Sequence, residues 1–275
     1  MAEQSDPTHL HALARENGGR LAKRAAEVDQ TSEVRQLVDA EGRLAFNLRA
    51  SAAEDFLETG RRLNKFTWAE GEATRTNRPV DEILRVSLGE HFGPRLEFEA
   101  NYCGGGHFYY GALNVGGAGA SKYGDYCFIE SISPNKGRVP ADPVWIGEDS
   151  LTGANELFRA AGGDIVEERL AEWVASTHQA GDLTAVKLAY LGLSNVPLAI
   201  RICSKDDYIE GVSITPTARE GVEEIRLAKE RADEIQNLAF ESALSGGTES
   251  TGLDLEQHRR VRELADLHGI QWNEV

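Results

Sequence analysis

Sulfur-containing residues are scarce in this sequence, and long apolar segments are missing. Its 275 residues include one methionine and three cysteines, Cys103, Cys127 and Cys203. The cysteines lack the paired spacing of a metal site, and an odd number argues against a complete disulfide framework, so we predict reduced thiols. No apolar run approaches the ~20 residues that a membrane-spanning helix needs. The first residues lack the basic and apolar segments of a secretory signal, so we expect a cytoplasmic protein without a membrane partner.

Basic residues are also in short supply. Lysine and arginine together number 29, against 45 aspartates and glutamates, and the formal net charge is −16. Non-specific binding to nucleic acid depends on lysine and arginine displacing counterions from the phosphates. The composition therefore argues against nucleic acid as the main partner. It is compatible with a noncatalytic acidic module that binds or regulates another protein by masking a basic surface.

Several familiar catalytic signatures are absent. There is no phosphate loop, zinc signature, nucleophile elbow or dinucleotide-binding glycine fingerprint in the required context of strand and helix. A hydrolase that uses His107, Asp125 and Asp149 is an alternative, but it requires these groups to converge within hydrogen-bonding distance. A single histidine beside aromatic residues is more often structural than catalytic.

The periodicity of apolar residues predicts an α+β fold with a β-rich centre and flanking helices. Residues 43–49 alternate as a half-buried strand and lead into a helix at 52–59, for which Ser51 and Glu54 have capping-box spacing and Gly60 is the stop signal. Further strands are predicted at 95–101, 107–115, 123–131, 197–203 and 206–214. Further helices are predicted at 8–40, 79–91, 150–161, 164–178, 182–192 and 217–243, with a last one ending at Gly269. We expect an N-terminal helical segment at 1–41, a core at 42–216 and a C-terminal helical segment at 217–275.

The segment 101–130 has the most unusual composition. It interleaves glycines, tyrosines and single polar residues, a mixture that neither an ordinary helix nor an ordinary core strand requires. Dense glycine allows the backbone to approach a neighbour closely, and aromatic rings supply contact area. The segment is therefore predicted to line a small-molecule cleft, with an irregular β connection as the alternative.

A series of short motifs over residues 43–214 resembles a known arrangement. The motifs are Thr59-Gly60-Arg61, Asn64-Lys65-Phe66, Tyr110-Gly-Ala-Leu-Asn114, Lys122-Tyr-Gly-Asp-Tyr126, Asp149-Ser150 and Tyr208-Ile-Glu210. Their order is similar to that of a bacterial family whose layout resembles ADP-ribosyltransferase toxins and effectors. The resemblance implies an ADP-ribosyltransferase-like α+β fold, with a central split β-sheet and flanking helices. It also implies NAD as substrate, ADP-ribosyl transfer to a macromolecule or NAD hydrolysis as the reaction, a protein acceptor as a possible partner, and possible export as an effector without a cleavable signal.

The resemblance directs attention to one acid and four contact residues. Cleavage of the bond between nicotinamide and ribose develops positive charge on the sugar, which a carboxylate can stabilise, and Glu210 is the predicted catalytic residue. Arg49 is predicted to hold a phosphate or ribose through its planar fork of donors, and Tyr110 to stack on nicotinamide. Asn114 and Tyr123 complete the predicted NAD-binding set.

The sequence also departs from transferase patterns. No Ser-Thr-Ser strand and no Glu-x-Glu or Gln-x-Glu pair occurs near Glu210, which weakens the case for arginine-directed transfer more than the case for NAD binding. Each residue also has a simpler interpretation. Glu210 fits the exposed face of a strand, Arg49 fits a surface ion pair with Glu54, and the two tyrosines fit core positions with solvated hydroxyls.

Overall fold

The protein is described here by a computed structural model. The structure describes residues 9–28, 32–102, 108–131, 142–147, 173–193, 203–204, 207–245 and 249–275. Within these ranges the fold is α+β, as predicted, and no helix is long and apolar enough to cross a membrane. The predictions for His107, Asp149, Cys103 and the helix at 150–161 fall outside the described residues.

The helices lie on both sides of one large sheet. They are α1 (His9–Glu27), α2 (Ser32–Glu41), α3 (Ala50–Thr59), α4 (Lys65–Thr76), α5 (Val80–Leu88), α6 (Phe92–Tyr102), α7 (Ala180–Tyr190), α8 (Lys229–Ser245) and α9 (Glu249–Leu267). Gly60 ends α3 in the left-handed conformation (φ 70°), as predicted from its position. The start of α3 differs from the prediction, because Arg49 occupies its N-cap and no side chain caps it.

Among the described residues, eight strands form this sheet, in the order β10-β9-β3-β1-β2-β8-β4-β5. The strands in chain order are β1 (Arg43–Leu48), β2 (Tyr109–Asn114), β3 (Tyr126–Glu130), β4 (Val144–Ile146), β5 (Val174–Ala175), β6 (Cys203–Ser204), β7 (Asp207–Tyr208), β8 (Glu210–Ser213), β9 (Val222–Leu227) and β10 (Gln271–Glu274). β6 and β7 pair separately. All described pairs in the large sheet are antiparallel except the pair between β9 and β10.

The two faces of the sheet bury different sets of side chains, because successive residues of a strand point to opposite sides. We call one the Phe46 face, which carries Leu44, Phe46, Leu113, Phe128 and Ile225. There Phe46 and Phe128 stack with ring centroids 5.3 Å apart, and Phe56 of α3 meets both rings edge-on. We call the other the Glu210 face, which carries Ala45, Asn47, Tyr110, Ala112, Glu210 and Val212. Apolar side chains of α1 and α6 pack on Val212 of this face.

The segment 95–101, predicted as a strand, is instead part of α6. The alternation of charged and apolar residues in this segment suggested a strand. The residues that are buried are Arg95, Phe98 and Glu99, which have the spacing of one helix face, whereas Leu96 is exposed. Phe66 and Trp68 lie in α4. The N-cap of that helix is Asn64, whose side chain accepts a 2.8 Å hydrogen bond from the backbone N–H of Thr67.

The helix predicted at 217–243 is also partly wrong. Val222, Ile225 and Leu227 form β9, and the helix α8 begins only at Lys229. β9 pairs with β3, and β10 near the end of the chain pairs with β9. The C-terminal segment is therefore not only helical, because it supplies two strands of the sheet. Similarly Val174, predicted in a helix, belongs to β5.

Candidate functional site

The glycine-rich connection between β2 and β3 folds back over the Glu210 face, where two asparagines fasten it. The Asn47 amide donates to the backbone carbonyls of Ala118 (3.0 Å) and Gly124 (2.9 Å). The Asn114 amide donates to the carbonyl of Gly117 (2.7 Å), and its oxygen accepts from the Gly117 N–H (3.0 Å). These hydrogen bonds hold the loop against the Glu210 face, because polar groups that become buried need partners.

Glu210 lies on this face in the middle of the sheet. In the antiparallel pairing of β2 with β8, Glu210 is opposite Ala112, and Tyr110 is opposite Val212. Tyr110 and Glu210 are therefore diagonal neighbours on one face, within reach of long side chains. Glu210 is only 2% exposed, which excludes the simpler interpretation that it occupies a solvent-exposed strand face.

Helix α6 brings two further charged residues to this position. The Tyr110 hydroxyl donates to Oε1 of Glu99 at 2.8 Å, and the Arg95 guanidinium carbon lies 3.7 Å from the centre of the Tyr110 ring. Arg95 and Glu99 are 7% and 2% exposed. The result is a buried cluster of two acids, one arginine and one tyrosine, which we call the Glu210 cluster (Arg95, Glu99, Tyr110 and Glu210).

The electrostatics of the Glu210 cluster depend on Arg95. Burial lowers the pKa of Arg95, but Tyr110, Glu210 and Glu99 together outweigh burial and raise that pKa above its ordinary value. Burial, with smaller contributions from Glu99 and Glu210, raises the pKa of Tyr110 well above its usual range, although Arg95 opposes this. Arg95 is therefore charged and Tyr110 is a neutral hydrogen-bond donor at neutral pH.

A second pair of tyrosines lies on the other side of Glu210. Ile209 packs in the core on the Phe46 face, so its neighbours Tyr208 and Glu210 point to the opposite face. The Tyr208 hydroxyl lies 2.8 Å from that of Tyr123, which belongs to the glycine-rich loop and is 45% exposed. The Lys122 ammonium is 4.9 Å from both ring centres. Glu210 thus lies on the strand face between α6 and the glycine-rich loop.

The structure brings some of the predicted site residues together and separates others. Tyr110 and Glu210 are neighbours, and Tyr123 reaches their face through Tyr208. Asn114 is buried and engaged in fastening the loop; its oxygen also accepts a hydrogen bond from an Arg226 nitrogen at 3.2 Å. Arg49 is exposed at the start of α3, away from the Glu210 cluster in the contacts described.

Arg49 does not form the predicted ion pair with Glu54, which instead pairs with Arg260. Lys65, at the start of α4, is a second cation close to Arg49. Burial lowers the pKa of Lys65, and repulsion by Arg49 lowers it further. Two cations are therefore close enough to interact at this end of β1.

Sequence reasoning missed Arg95 and Glu99. The available signal was the set Arg95, Phe98 and Glu99 at helical spacing, with an apolar residue between two opposite charges. Reading 95–101 as a strand placed Phe98 on the face opposite to Arg95 and Glu99, and this concealed the grouping. Charged residues are rarely buried unless they are paired, so a helix face that mixes Phe98 with two charges indicates a polar cluster.

The alternative hydrolase set receives no support from its one described member. Asp125 is paired with Arg231, whose Nε lies 3.0 Å from an Asp125 oxygen. Across the described ranges, no three histidine, cysteine, aspartate or glutamate side chains are grouped so that they could hold a metal ion.

Comparison with known protein families finds no family that matches the chain. No curated protein matches it in sequence either.

Proposed function

We propose that the protein cleaves the bond between nicotinamide and ribose in NAD, with transfer of ADP-ribose to a protein or to water, and that Glu210 is the catalytic residue. The observation that carries this proposal is the burial of Glu210 beside Arg95 in the middle of a sheet face. A carboxylate in such a place costs free energy unless a cation compensates it. Arg95 supplies this compensation, so the carboxylate can stabilise positive charge on the ribose.

The surroundings of Glu210 suit the two ends of the substrate differently. One face of the Tyr110 ring is covered by the Arg95 guanidinium. The half-exposed Tyr123 therefore offers the more accessible ring for the nicotinamide side, and Tyr110 completes the wall. Arg49 and Lys65, two interacting cations, are assigned to the diphosphate. Because Glu210 is only 2% exposed, binding of NAD requires side chains that cover it to move aside.

The sheet itself is consistent with an ADP-ribosyltransferase-like fold, which we include in the proposal. The ladder between β1 and β2 covers only Arg43 to Ala45, and it ends at the pair Ala45 and Ala112 although both strands continue beyond it. An interrupted ladder in the middle of the sheet is what a split sheet requires. The end of this ladder supports the proposal because it separates β1, which precedes Arg49, from β2, which carries Tyr110.

Changing Glu210 to Gln is expected to lower the rate of nicotinamide release at least about 100-fold, equivalent to about 2.7 kcal/mol of activation free energy, because the amide cannot offset positive charge. The measurement is nicotinamide release from NAD by liquid chromatography, with and without protein acceptors. NAD affinity is measured in parallel by calorimetry, and we expect it to change much less than the rate.

The matched control is Glu97→Gln, which removes an exposed carboxylate from the same helix that carries Arg95. This variant should retain the wild-type rate. A wild-type protein that neither binds NAD nor releases nicotinamide would contradict the proposal and favour the noncatalytic acidic module. A Glu210→Gln variant that is folded and fully active would retain the reaction but remove Glu210 from it.

A further inference from the structure

Arg62 occupies the interruption between β1 and β2. Its guanidinium carbon lies 3.9 Å from the centre of the Phe46 ring, and its Nη2 donates to the backbone carbonyl of Tyr110. Phe46 and Tyr110 belong to the parts of β1 and β2 that extend beyond the last pair, Ala45 and Ala112. The side chain therefore fills the place where the ladder between the two strands ends.

One nitrogen of the Arg62 guanidinium donates no hydrogen bond to the described residues. Part of the residue's surface is exposed, but Nη1 is enclosed and has no hydrogen-bond partner among the described residues. Burial lowers the pKa of Arg62 to about 10, although Glu130 and Tyr109 partly oppose this. A buried charge that makes one backbone hydrogen bond and leaves a donor unused is costly. The contact with the Phe46 ring uses the charge, but it leaves the Nη1 donor without a role.

The chemistry of the unused Nη1 donor indicates which kind of ligand could accept a hydrogen bond from it. Guanidinium presents donors in a planar fork that matches the oxygens of phosphate, and stacking on an aromatic ring holds that plane in position. Phosphate carries enough negative charge to balance Arg62 even beside the carboxylate of Glu130. Arg62 is partly exposed, so a phosphate that arrives from solvent reaches the enclosed Nη1 once the guanidinium shifts toward the surface.

We infer that Arg62 is the anchor of a second ligand site, which binds a phosphate group at the interruption between β1 and β2. The site goes beyond the proposed reaction, because Arg62 contacts the Phe46 face whereas Glu210 lies on the opposite face. The two are connected through Tyr110, whose carbonyl binds Arg62 and whose side chain belongs to the Glu210 cluster. The ligand is either inorganic phosphate or the phosphate of a nucleotide.

The test is calorimetric titration of the full-length protein with inorganic phosphate, and separately with AMP, at constant ionic strength. We expect one phosphate to bind per chain, Arg62→Met to abolish binding, and Arg62→Lys to weaken it about tenfold because lysine lacks the fork. The matched control is Arg61→Gln, which changes the exposed neighbouring arginine and should leave binding unchanged. Tighter binding of AMP than of phosphate would identify a nucleotide as the ligand.

A second variant tests the same site in the opposite direction. Because Glu130 interacts electrostatically with Arg62, Glu130→Gln should strengthen phosphate binding about threefold or more. The inference is overturned if wild-type protein does not bind either phosphate compound, or if folded Arg62→Lys and Glu130→Gln both bind with wild-type affinity. None of these titrations uses NAD, so their outcome is independent of the proposed reaction.

Discussion

Changing Arg95 to Met is expected to lower the free energy of unfolding by about 3–5 kcal/mol at pH 8, because it removes a buried cation from beside two buried carboxylates. Glu99 and Glu210, each 2% exposed, would then share the interior with no arginine between them. The Tyr110 hydroxyl already donates its hydrogen bond to Glu99, and as a neutral group it cannot offset the charge of either acid. Many domains are stable by only about 5–15 kcal/mol, so this single change removes a large part of the total.

The pH dependence separates this explanation from a loss of packing. In the wild type, Arg95 has a raised pKa and stays charged across the accessible range, so its favourable interactions are present at neutral pH. In the variant, protonation of either carboxyl group removes a buried charge and the repulsion between the two. The loss of stability should therefore be smaller at pH 5.5 than at pH 8, measured by urea unfolding followed by circular dichroism.

A matched control for Arg95→Met is Arg85→Met. Arg85 also stacks on an aromatic ring, with its guanidinium carbon 4.3 Å from the centre of Phe92, but it is exposed. We expect a loss below about 1 kcal/mol for this variant, as for exposed cation–π contacts. If Arg95→Met loses equal stability at both pH values, packing and not charge explains its effect.

The strands of the sheet interior could be predicted from the sequence because their burial pattern is local. In β1, Leu44 and Phe46 alternate with residues of the other face, and Gly60 ends the following helix. These signals depend on period and turn chemistry, which a short window contains. They are sufficient for the α+β class but not for the order of strands, which depends on pairing between distant segments.

The errors occurred where tertiary contacts decide between helix and strand. Residues 222–227 mix charged and apolar side chains in a way that suits either structure. Their assignment as β9 depends on pairing with β3 and with β10, whose sequence positions are far away. Tertiary context of this kind overrides propensity, so no local rule would have recovered it.

The candidate site was predictable only in part, for a related reason. Glu210 and Tyr110 could be proposed because each lies in a short motif on a strand. The helical spacing of Arg95 and Glu99 was a local signal of a buried polar cluster, but their place beside Tyr110 and Glu210 depends on how α6 packs on the sheet. Arg49 was chosen by its place at the end of an early strand, yet the enclosed arginine beside that strand is Arg62, which follows the next helix.

Changing Gly124 to Ala is expected to destabilise the fold by about 3 kcal/mol, since overpacking forces the backbone to move. A Cβ at this position would stand well under 3.0 Å from the backbone of Leu48 and Arg49, and backbone cannot yield as a flexible side chain does. The carbonyl of Gly124 also accepts the Asn47 hydrogen bond that fastens the loop. Urea unfolding measures the loss of stability. The affinity for NAD, measured by calorimetry, reports any displacement of the neighbouring Tyr123.

The control for this variant is Gly116→Ala in the same loop. Gly116 also has a positive φ, of 82°, but an added Cβ would meet nothing within 4 Å. Its cost should be limited to backbone strain, about 1 kcal/mol. Equal losses at the two positions would mean that backbone conformation alone explains the glycines of this segment. A larger loss at Gly124 would instead show that its close contact with the end of β1 stabilises the loop, which carries Tyr123 to Tyr208 at one wall of the proposed site.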